Sequence, residues 1–198
     1  MKKKNKNKWE DHLSRKARAE NYPARSVYKL EEIQNRFKII RPGDRVLDLG
    51  CAPGSWLLYS GKKVGNKGTV LGIDLKSVDI RLPDHVRAIR KDIRDIEAEL
   101  AFNEESRFNV ILSDMAPDTT GRKDVDAARS YDLCCLALDI AEKYLLKGGH
   151  FVCKIFQGDD FSKFRENVKE SFKESKNFRP NSCRKNSKEI YIIAKFMN

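Results

Sequence analysis

Short apolar segments alternate with longer amphipathic ones along most of the chain. Runs of strand-like length are followed by segments whose apolar residues recur at the three- and four-residue spacing of a helix. We predict strands over 45–49, 69–75, 86–90, 108–113, 150–156 and 189–196, and helices over 26–37, 55–64, 126–146 and 161–172. Because strands separated by helices pair in parallel and carry helices on both faces, the sequence predicts an α/β fold built on one mostly parallel sheet.

The first 25 residues differ from the rest in composition. They carry nine Lys and Arg against three acidic residues, and residues 2–8 have a composition typical of disorder. The total length of 198 residues suits one domain with a short extension. We therefore expect a partly disordered basic arm over 1–25 and a single domain over 26–198.

The net charge limits the class of partner. The chain has 40 Lys and Arg and 29 Asp and Glu, which gives a formal charge of +11. Such an excess favours a polyanion, nucleic acid first and an anionic membrane surface second, over a protein that is basic only for solubility.

Several classes of protein are disfavoured by what the sequence lacks. No segment approaches the roughly 20 apolar residues of a membrane span, and the N-terminus has no apolar secretory segment. A mitochondrial presequence stays open, although the acidic residues Glu10, Asp11 and Glu20 argue against one. The five cysteines form no C-x-x-C pair, so we expect no metal site and a reducing, cytoplasmic location.

The segment VLDLGCAPGSW over 46–56 leads from a strand into a helix and predicts a cofactor site. Gly50 allows a sharp turn, and Gly54 allows the backbone to approach a ligand closely. Asp74 lies 20 positions after Gly54, at the end of the second strand, where it can accept hydrogen bonds from an adenosine ribose. Asp92 follows the third strand and can meet the adenine amino group.

Two other interpretations of this segment compete. A nicotinamide dinucleotide needs G-x-G-x-x-G with backbone N–H groups facing a pyrophosphate. Here Ala52 replaces the second glycine and Pro53 has no N–H, so a cationic cofactor without phosphates fits better. An ordinary strand–turn–helix with glycines by chance is the other alternative, and the spacing of Asp74 argues against it.

Four charged residues are candidates for catalysis. Lys154 interrupts an apolar strand, and charges in buried strands are rare without partners. Asp114 ends a strand, Lys29 lies in the first helix and Glu189 begins the last strand. Taken singly, Lys29 fits a solvated helix position, Glu189 an exposed strand end and Asp114 a loop cap. A lysine can accept the proton of a ribose hydroxyl only where burial or a second cation lowers its pKa.

The chain resembles the FtsJ/RrmJ family of ribosomal RNA ribose 2′-O-methyltransferases from Trp9 to Lys195. The segments that carry the resemblance are SVYKL at 26–30, DLGCAPGSW at 48–56, SDMAP at 113–117, KIFQG at 154–158 and SKEIY at 187–191. The family more often has alanine where this chain has Cys51, a small departure.

The resemblance implies a fold, a cofactor and roles for the candidates. It implies a Rossmann-like methyltransferase fold with a sheet of seven strands, of which the last pair is antiparallel. The segment 189–196 would then be a strand inserted between two others of the sheet. The cofactor would be S-adenosyl-L-methionine. Lys154 would be the base, Asp114 would orient it, and Lys29 and Glu189 would position the hydroxyl. The cofactor contacts would be Gly54, Trp56, Asp74, Asp92 and Asp114, beside Gly50 of the turn.

The implied partner is ribosomal RNA of the large subunit, bound by a monomer that acts on neither DNA nor membranes. A tRNA ribose methyltransferase would share this core, and only the compact length favours the ribosomal type. A non-catalytic RNA-binding ribosome assembly factor would need neither lysine, so the intact set of four argues against it. The charge of +11 disfavours a small-molecule methyltransferase.

Overall fold

A central sheet of seven strands organises the computed structural model, which describes residues 12–98, 100, 107–184 and 186–198. The strands are β1 (Arg45–Leu49), β2 (Thr69–Asp74), β3 (Val86–Arg90), β4 (Phe108–Ser113), β5 (Leu145–Phe156), β6 (Phe172–Phe178) and β7 (Glu189–Met197). The helices are α1 (His12–Ala19), α2 (Val27–Phe37), α3 (Ser55–Val64), α4 (Lys123–Tyr144) and α5 (Phe161–Ser171), with a short 3-10 helix at Ile93–Ala98.

The strand order is β3-β2-β1-β4-β5-β7-β6. The first five strands pair in parallel, and β7 lies between β5 and β6 and is antiparallel to both. The α/β fold class and the antiparallel last pair are therefore confirmed.

The two faces of the sheet are both buried, and side chains divide between them by the two-residue period of a strand. On β1, Leu47 and Leu49 pack in the cluster that contains residues of α4 and α5, whereas Val46 packs in the cluster of α1, α2 and α3. On β5, Phe151 and Cys153 face the α4 side and Val152 faces the α2 side. Strands covered on both faces explain the nearly continuous apolar runs in the sequence.

Helix α1 lies within the segment that we predicted as an arm. Ala17 of α1 is buried, and Leu13 and Tyr22 pack against the cluster on the α2 side of the sheet. The described structure is thus folded from residue 12, earlier than the predicted boundary at 26. The helix was missed because its sequence is mostly charged and only one side of it contacts the core. The expected disorder of residues 2–8 lies outside the described residues.

Strand β6 was also missed. Its sequence, FKESKNF, is mostly polar and has six exposed or half-exposed positions after a buried Phe172. It pairs on one side only, and edge strands of this kind carry charged side chains that discourage pairing with another chain. The hydrophobic pattern of a core strand is therefore absent.

The other differences are shifts of element ends. Helix α4 begins at Lys123 and ends at Tyr144, so the polar segment 118–125 includes its first turn, and β5 begins at Leu145 instead of 150. In the described ranges, no helix combines the length and the apolar character that a membrane crossing needs.

Candidate active site

Asp114 and Lys154 are brought together by two neighbouring parallel strands. Ser113 of β4 pairs with Cys153 of β5, so the next residue of each strand lies at the same level, where the carboxyl ends of the strands form one edge. The Lys154 ammonium lies 2.9 Å from Oδ1 of Asp114 and also donates a hydrogen bond to the Asp114 carbonyl. The side chain of Lys154 is only 6% exposed, so its ammonium is largely shielded from solvent.

Glu189 and Lys29 complete the predicted set from two other elements. Lys154 pairs with Tyr191 across β5 and β7, and the strand period puts Glu189 on the same face as Tyr191. Helix α2 covers this face and places the Lys29 ammonium 2.8 Å from Oε2 of Glu189 and 3.9 Å from Oδ1 of Asp114. The structure therefore joins all four predicted catalytic residues in one cluster.

The electrostatics of the cluster fix two of its charges. Burial alone would raise the pKa of Asp114, but Lys154 and Lys29, with a hydrogen bond from Tyr191, outweigh it and hold this pKa below its ordinary value. Burial alone would lower the pKa of Lys29, but the carboxylates of Asp114 and Glu189 outweigh it and raise this pKa. At neutral pH, Asp114 is an anion and Lys29 a cation.

Tyr191 belongs to the cluster and was missed by the sequence analysis. Its hydroxyl donates a 2.6 Å hydrogen bond to Oδ1 of Asp114, and its ring is fully buried. Burial and the Asp114 charge raise the pKa of Tyr191 well above its usual value, so the phenol stays protonated and remains a donor. Its position two residues after Glu189 in a strand was the signal that could have found it, because such residues share a face.

A cavity of about 410 Å³ lies at the carboxyl ends of β1, β2 and β4, beside Asp114. We call it the donor cavity; among its lining residues are Gly50, Asp74, Leu75, Asp92, Asp114 and Ala116. The carboxylate of Asp74 accepts hydrogen bonds from the backbone N–H groups of Ala52 (2.9 Å) and Lys76 (2.8 Å), which fix its orientation. Gly50 has a φ of 77°, and a Cβ there would lie 2.6 Å from Cγ of Met115.

These residues fit the adenosine part of a cofactor. An oriented carboxylate can accept both hydroxyl protons of a ribose. Leu75, next to Asp74, is 65% exposed and is the one large apolar side chain so exposed in the described residues. A flat apolar ring would cover it, so the cavity combines an acceptor for a sugar with a surface for a base.

Two of the predicted cofactor contacts lie elsewhere. Gly54 and Trp56 are not among the residues that line the donor cavity. The indole N–H of Trp56 donates to the carbonyl of Ser26 (2.8 Å), and its ring centroid lies 6.0 Å from that of Tyr191. Trp56 therefore joins α3 to the start of α2, and this helps to set the position of Lys29; its contact with a cofactor stays a prediction.

A second cavity, of about 490 Å³, lies on the other side of the cluster. We call it the acceptor cavity; among its lining residues are Arg25, Lys29, Ala116, Lys154, Arg184 and Glu189. Ala116 lines both cavities, and Asp114 lines the donor cavity while its partners Lys29 and Lys154 line this one. The cluster thus stands between a cavity lined by carboxylates and cations together and a cavity that is mainly basic.

A model of the FtsJ-like methyltransferase family matches residues 22–197. The chain belongs to this family. Its similarity to curated proteins covers nearly the whole length. It is 56% identical over 188 residues to ribosomal RNA large subunit methyltransferase E of Desulforapulum autotrophicum, covering 95% of this chain and 93% of that protein. It is 50% identical to the protein of the same name from Bdellovibrio bacteriovorus, with coverages of 92% and 94%.

Solved structures agree with this FtsJ-like assignment. A crystal structure described as a ribosomal RNA methyltransferase of Plasmodium falciparum superposes with a TM-score of 0.76 at 27% identity, covering 89% of this chain and 98% of that one. Fibrillarin of Aeropyrum pernix, crystallised with natively bound S-adenosyl-L-methionine, has a TM-score of 0.66 at 16% identity, with coverages of 85% and 76%. The second likeness concerns the fold alone.

Other centres are not found in the described parts of this FtsJ-like chain. No group of three or more His, Cys, Asp or Glu side chains in these residues is arranged to hold a metal ion. The cysteines at 51, 134, 135, 153 and 183 are free thiols.

Asp48, the first residue of the DLG turn, is a buried acidic residue to which the sequence analysis gave no role. It is fully buried, and neither carboxyl oxygen has a hydrogen-bond partner among the described residues. Burial, with the nearby charges of Asp114 and Asp74, raises its pKa well above the ordinary value. Asp48 therefore carries a proton in the folded protein where an unfolded chain would release it.

This protonation predicts a pH-dependent effect of Asp48→Asn. Above about pH 4 the native state holds a proton that the unfolded state releases, so the free energy of unfolding falls by up to about 1.4 kcal/mol per pH unit. Asparagine has no proton to release. The difference between Asp48→Asn and the wild type should therefore grow in favour of the variant as pH rises above 4, as measured by urea denaturation, until pH reaches the folded pKa. Asp139→Asn, at an exposed site on α4, is the control for the substitution itself; a flat result for Asp48→Asn would mean that its carboxyl is ionised.

Proposed function

We propose that this FtsJ-like methyltransferase transfers a methyl group from S-adenosylmethionine to a ribose 2′-hydroxyl of large-subunit ribosomal RNA. The observation that carries the proposal is the position of the Asp114–Lys154 pair between the two cavities. One cavity has the acceptor that an adenosine ribose needs, and the other is basic and holds a lysine beside a fixed carboxylate. The names of the curated relatives support ribosomal RNA over tRNA.

The donor cavity would hold the cofactor through Asp74, whose carboxylate would accept the ribose hydroxyls, and through Asp92, which would accept from the adenine amino group. S-adenosylmethionine, when bound, supplies an electrophilic methyl group on a positively charged sulfur. Asp114 would contribute a negative charge from the cavity wall, and Leu75 would offer an apolar surface to the adenine.

The acceptor cavity binds the target nucleotide. Arg25 and Arg184 provide cations for its phosphates, and the Lys29–Glu189 pair orients the 2′-hydroxyl. Lys154 takes the hydroxyl proton as the oxygen takes the methyl group, a step that requires the amine to have released its own proton first, while Asp114 holds the amine through its carboxylate and its carbonyl. DNA has no 2′-hydroxyl and is therefore not a substrate.

The complete cluster comes from a single chain, which supports a monomeric enzyme. The five free thiols support a reducing, cytoplasmic location, where the ribosomal substrate is found.

The first test of the function is to map 2′-O-methylation over total RNA from cells with and without the gene. We expect one modification to disappear from large-subunit ribosomal RNA and to return when the gene is restored. Loss of a tRNA modification instead, with ribosomal RNA unchanged, would assign the enzyme to tRNA.

The cofactor site is tested by Asp74→Ala and Asp74→Asn. Loss of a charged acceptor for the ribose hydroxyls should weaken S-adenosylmethionine binding by about 1–3 kcal/mol in calorimetric titration, with asparagine less damaging than alanine. Asp84→Ala removes an exposed carboxylate outside the cavity and should leave the affinity unchanged. Unaltered binding in both Asp74 variants, or micromolar binding of NAD by the wild type, would contradict this site.

The proposed base is tested by Lys154→Ala and Lys154→Arg. Loss of a positioned base costs roughly 10²–10⁴-fold in rate, and arginine should restore little because a guanidinium does not release its proton. Single-turnover methyl transfer to large ribosomal subunits from cells lacking the gene measures this step, with Lys147→Ala on the exposed turn of β5 as the control. A Lys154→Arg rate within a few-fold of wild type would make Lys154 an electrostatic support and Asp114 the next candidate base.

A further inference from the structure

A third cavity adjoins the acceptor cavity and has no part in the chemistry described above. It measures about 250 Å³ and lies between the first turns of α4, the end of β5 and the start of α5. We call it the flanking groove; among its lining residues are Ala127, Tyr131, Phe156, Gly158, Phe161 and Lys188.

The flanking groove and the acceptor cavity share a wall. Phe156 lines both of them. Lys188 lines the groove, while its neighbours Ser187 and Glu189 line the acceptor cavity, and the Lys188 carbonyl accepts a 3.1 Å hydrogen bond from the Gln157 N–H. The chain segment before β7 is thus fixed to the end of β5 and borders both spaces. The groove is therefore within reach of a unit that neighbours one bound in the acceptor cavity.

The groove is built around aromatic side chains that are not fully buried. Tyr131, Phe156 and Phe161 are all partly exposed. Tyr131 is held from below by an edge-to-face contact with the buried ring of Phe164, at 6.4 Å between centroids. A ring with one supported edge and an accessible surface is suited to stacking on a flat ligand.

Beneath the groove, the end of β5 and the loop that follows it pack closely on helix α4. Phe156 N–H donates to Oγ of Ser130 at 3.0 Å, which holds the end of β5 against α4. A Cβ at Gly158 would lie 2.6 Å from Cβ of Ala127, so glycine is required for the loop to lie this close to the helix. The KIFQG segment therefore serves the groove at its glycine as well as the active site at its lysine.

The charges around the groove favour a base at its centre and phosphate at its edge. The Lys163 ammonium lies 5.5 Å from the centroid of the Tyr131 ring, and Lys123 and Lys188 also border the space. The carboxylates of Asp124, Asp159 and Asp160 line it too and would repel a phosphate placed at the floor. A nucleobase is uncharged and meets no such repulsion, and its amino groups can donate to carboxylates.

We propose that the flanking groove binds the base of the nucleotide next to the methylated one, by stacking on Tyr131 beneath the Lys163 cation. This inference rests on the proposed function, because it takes the acceptor cavity as the site of the target ribose. A target nucleotide turned into the acceptor cavity loses stacking with its neighbour, and single-stranded RNA bases regain stacking on aromatic side chains.

The test uses Tyr131→Leu, which keeps an apolar side chain and removes the ring, and Lys163→Glu, which changes an exposed position and leaves the core untouched. Binding and methylation are measured on an RNA fragment that the wild type methylates, and on copies that are abasic at each neighbour of the methylated nucleotide. Phe37→Leu, a half-exposed aromatic position at the end of α2, is the control.

Both variants should bind the intact fragment less tightly, Tyr131→Leu by about 10-fold, the range of one base stacked on an aromatic ring. On the RNA that is abasic at one particular neighbour, the wild type should lose the same factor and Tyr131→Leu should lose nothing further. Phe37→Leu should bind as the wild type does.

Equal affinity of all proteins for the intact fragment would overturn the proposal, as would a Tyr131→Leu defect that persists on every abasic RNA. A defect seen with whole ribosomal subunits and absent with the naked fragment would assign the groove to a ribosomal protein and would also overturn it. Failure of the wild type to methylate any RNA is a different result, which would reject the proposed function itself.

Discussion

The carboxylate of Asp114 is the interaction on which the rest of the site depends. One oxygen, Oδ1, receives the Lys154 ammonium at 2.9 Å and the Tyr191 hydroxyl at 2.6 Å, and Lys29 stands 3.9 Å away. With Glu189 beside Lys29, the cluster holds two positive and two negative charges, and burial of a balanced set is tolerated where a single charge is not. The residues of the cluster come from α2, from the end of β4, from β5 and from β7. The charges therefore balance only when these four elements are packed together, and the packed elements tolerate the buried charges only because they balance.

Asp48 shows by contrast what happens to a carboxyl without such partners. It is buried in the same sheet, but no ammonium or hydrogen-bond donor reaches it among the described residues. Its pKa is therefore raised, and the carboxyl is held as the neutral acid. Asp114 and Asp48 are thus held in opposite protonation states a short distance apart. The ionised member lines the donor cavity and the neutral one faces the core, so the negative charge of this pair lies where a cationic cofactor would meet it.

Most of the fold followed from the sequence because burial on both faces gives the inner parallel strands a clear apolar pattern. The strands 45–49 and 108–113 match the observed bounds, and so does 86–90, although it is a half-exposed edge strand. The edge strand β6 and helix α1 did not follow, since each contacts the core along one side only. Of the site, the charges were predictable because Lys154 and Asp114 interrupt or end apolar strands. Tyr191 and the hydrogen bond from Trp56 to Ser26 were not, because both depend on how α2 and α3 pack on β7, and the spacing of residues along the chain does not specify that packing.

The raised pKa of Lys29 indicates that the two lysines of the cluster have different roles. A folded-state pKa above the unfolded value means that the Lys29 charge stabilises the protein at neutral pH and that this stabilisation is lost only as pH rises through the folded pKa. Lys29 therefore stays protonated under the conditions in which a base is needed. If Lys154 gives up its proton, Asp114 still has the Lys29 ammonium and the Tyr191 hydroxyl near it, so its charge is not left uncompensated. In the proposed mechanism, the second lysine keeps the charge of Asp114 compensated while the first acts as the base, and this gives two amines distinct roles in one site.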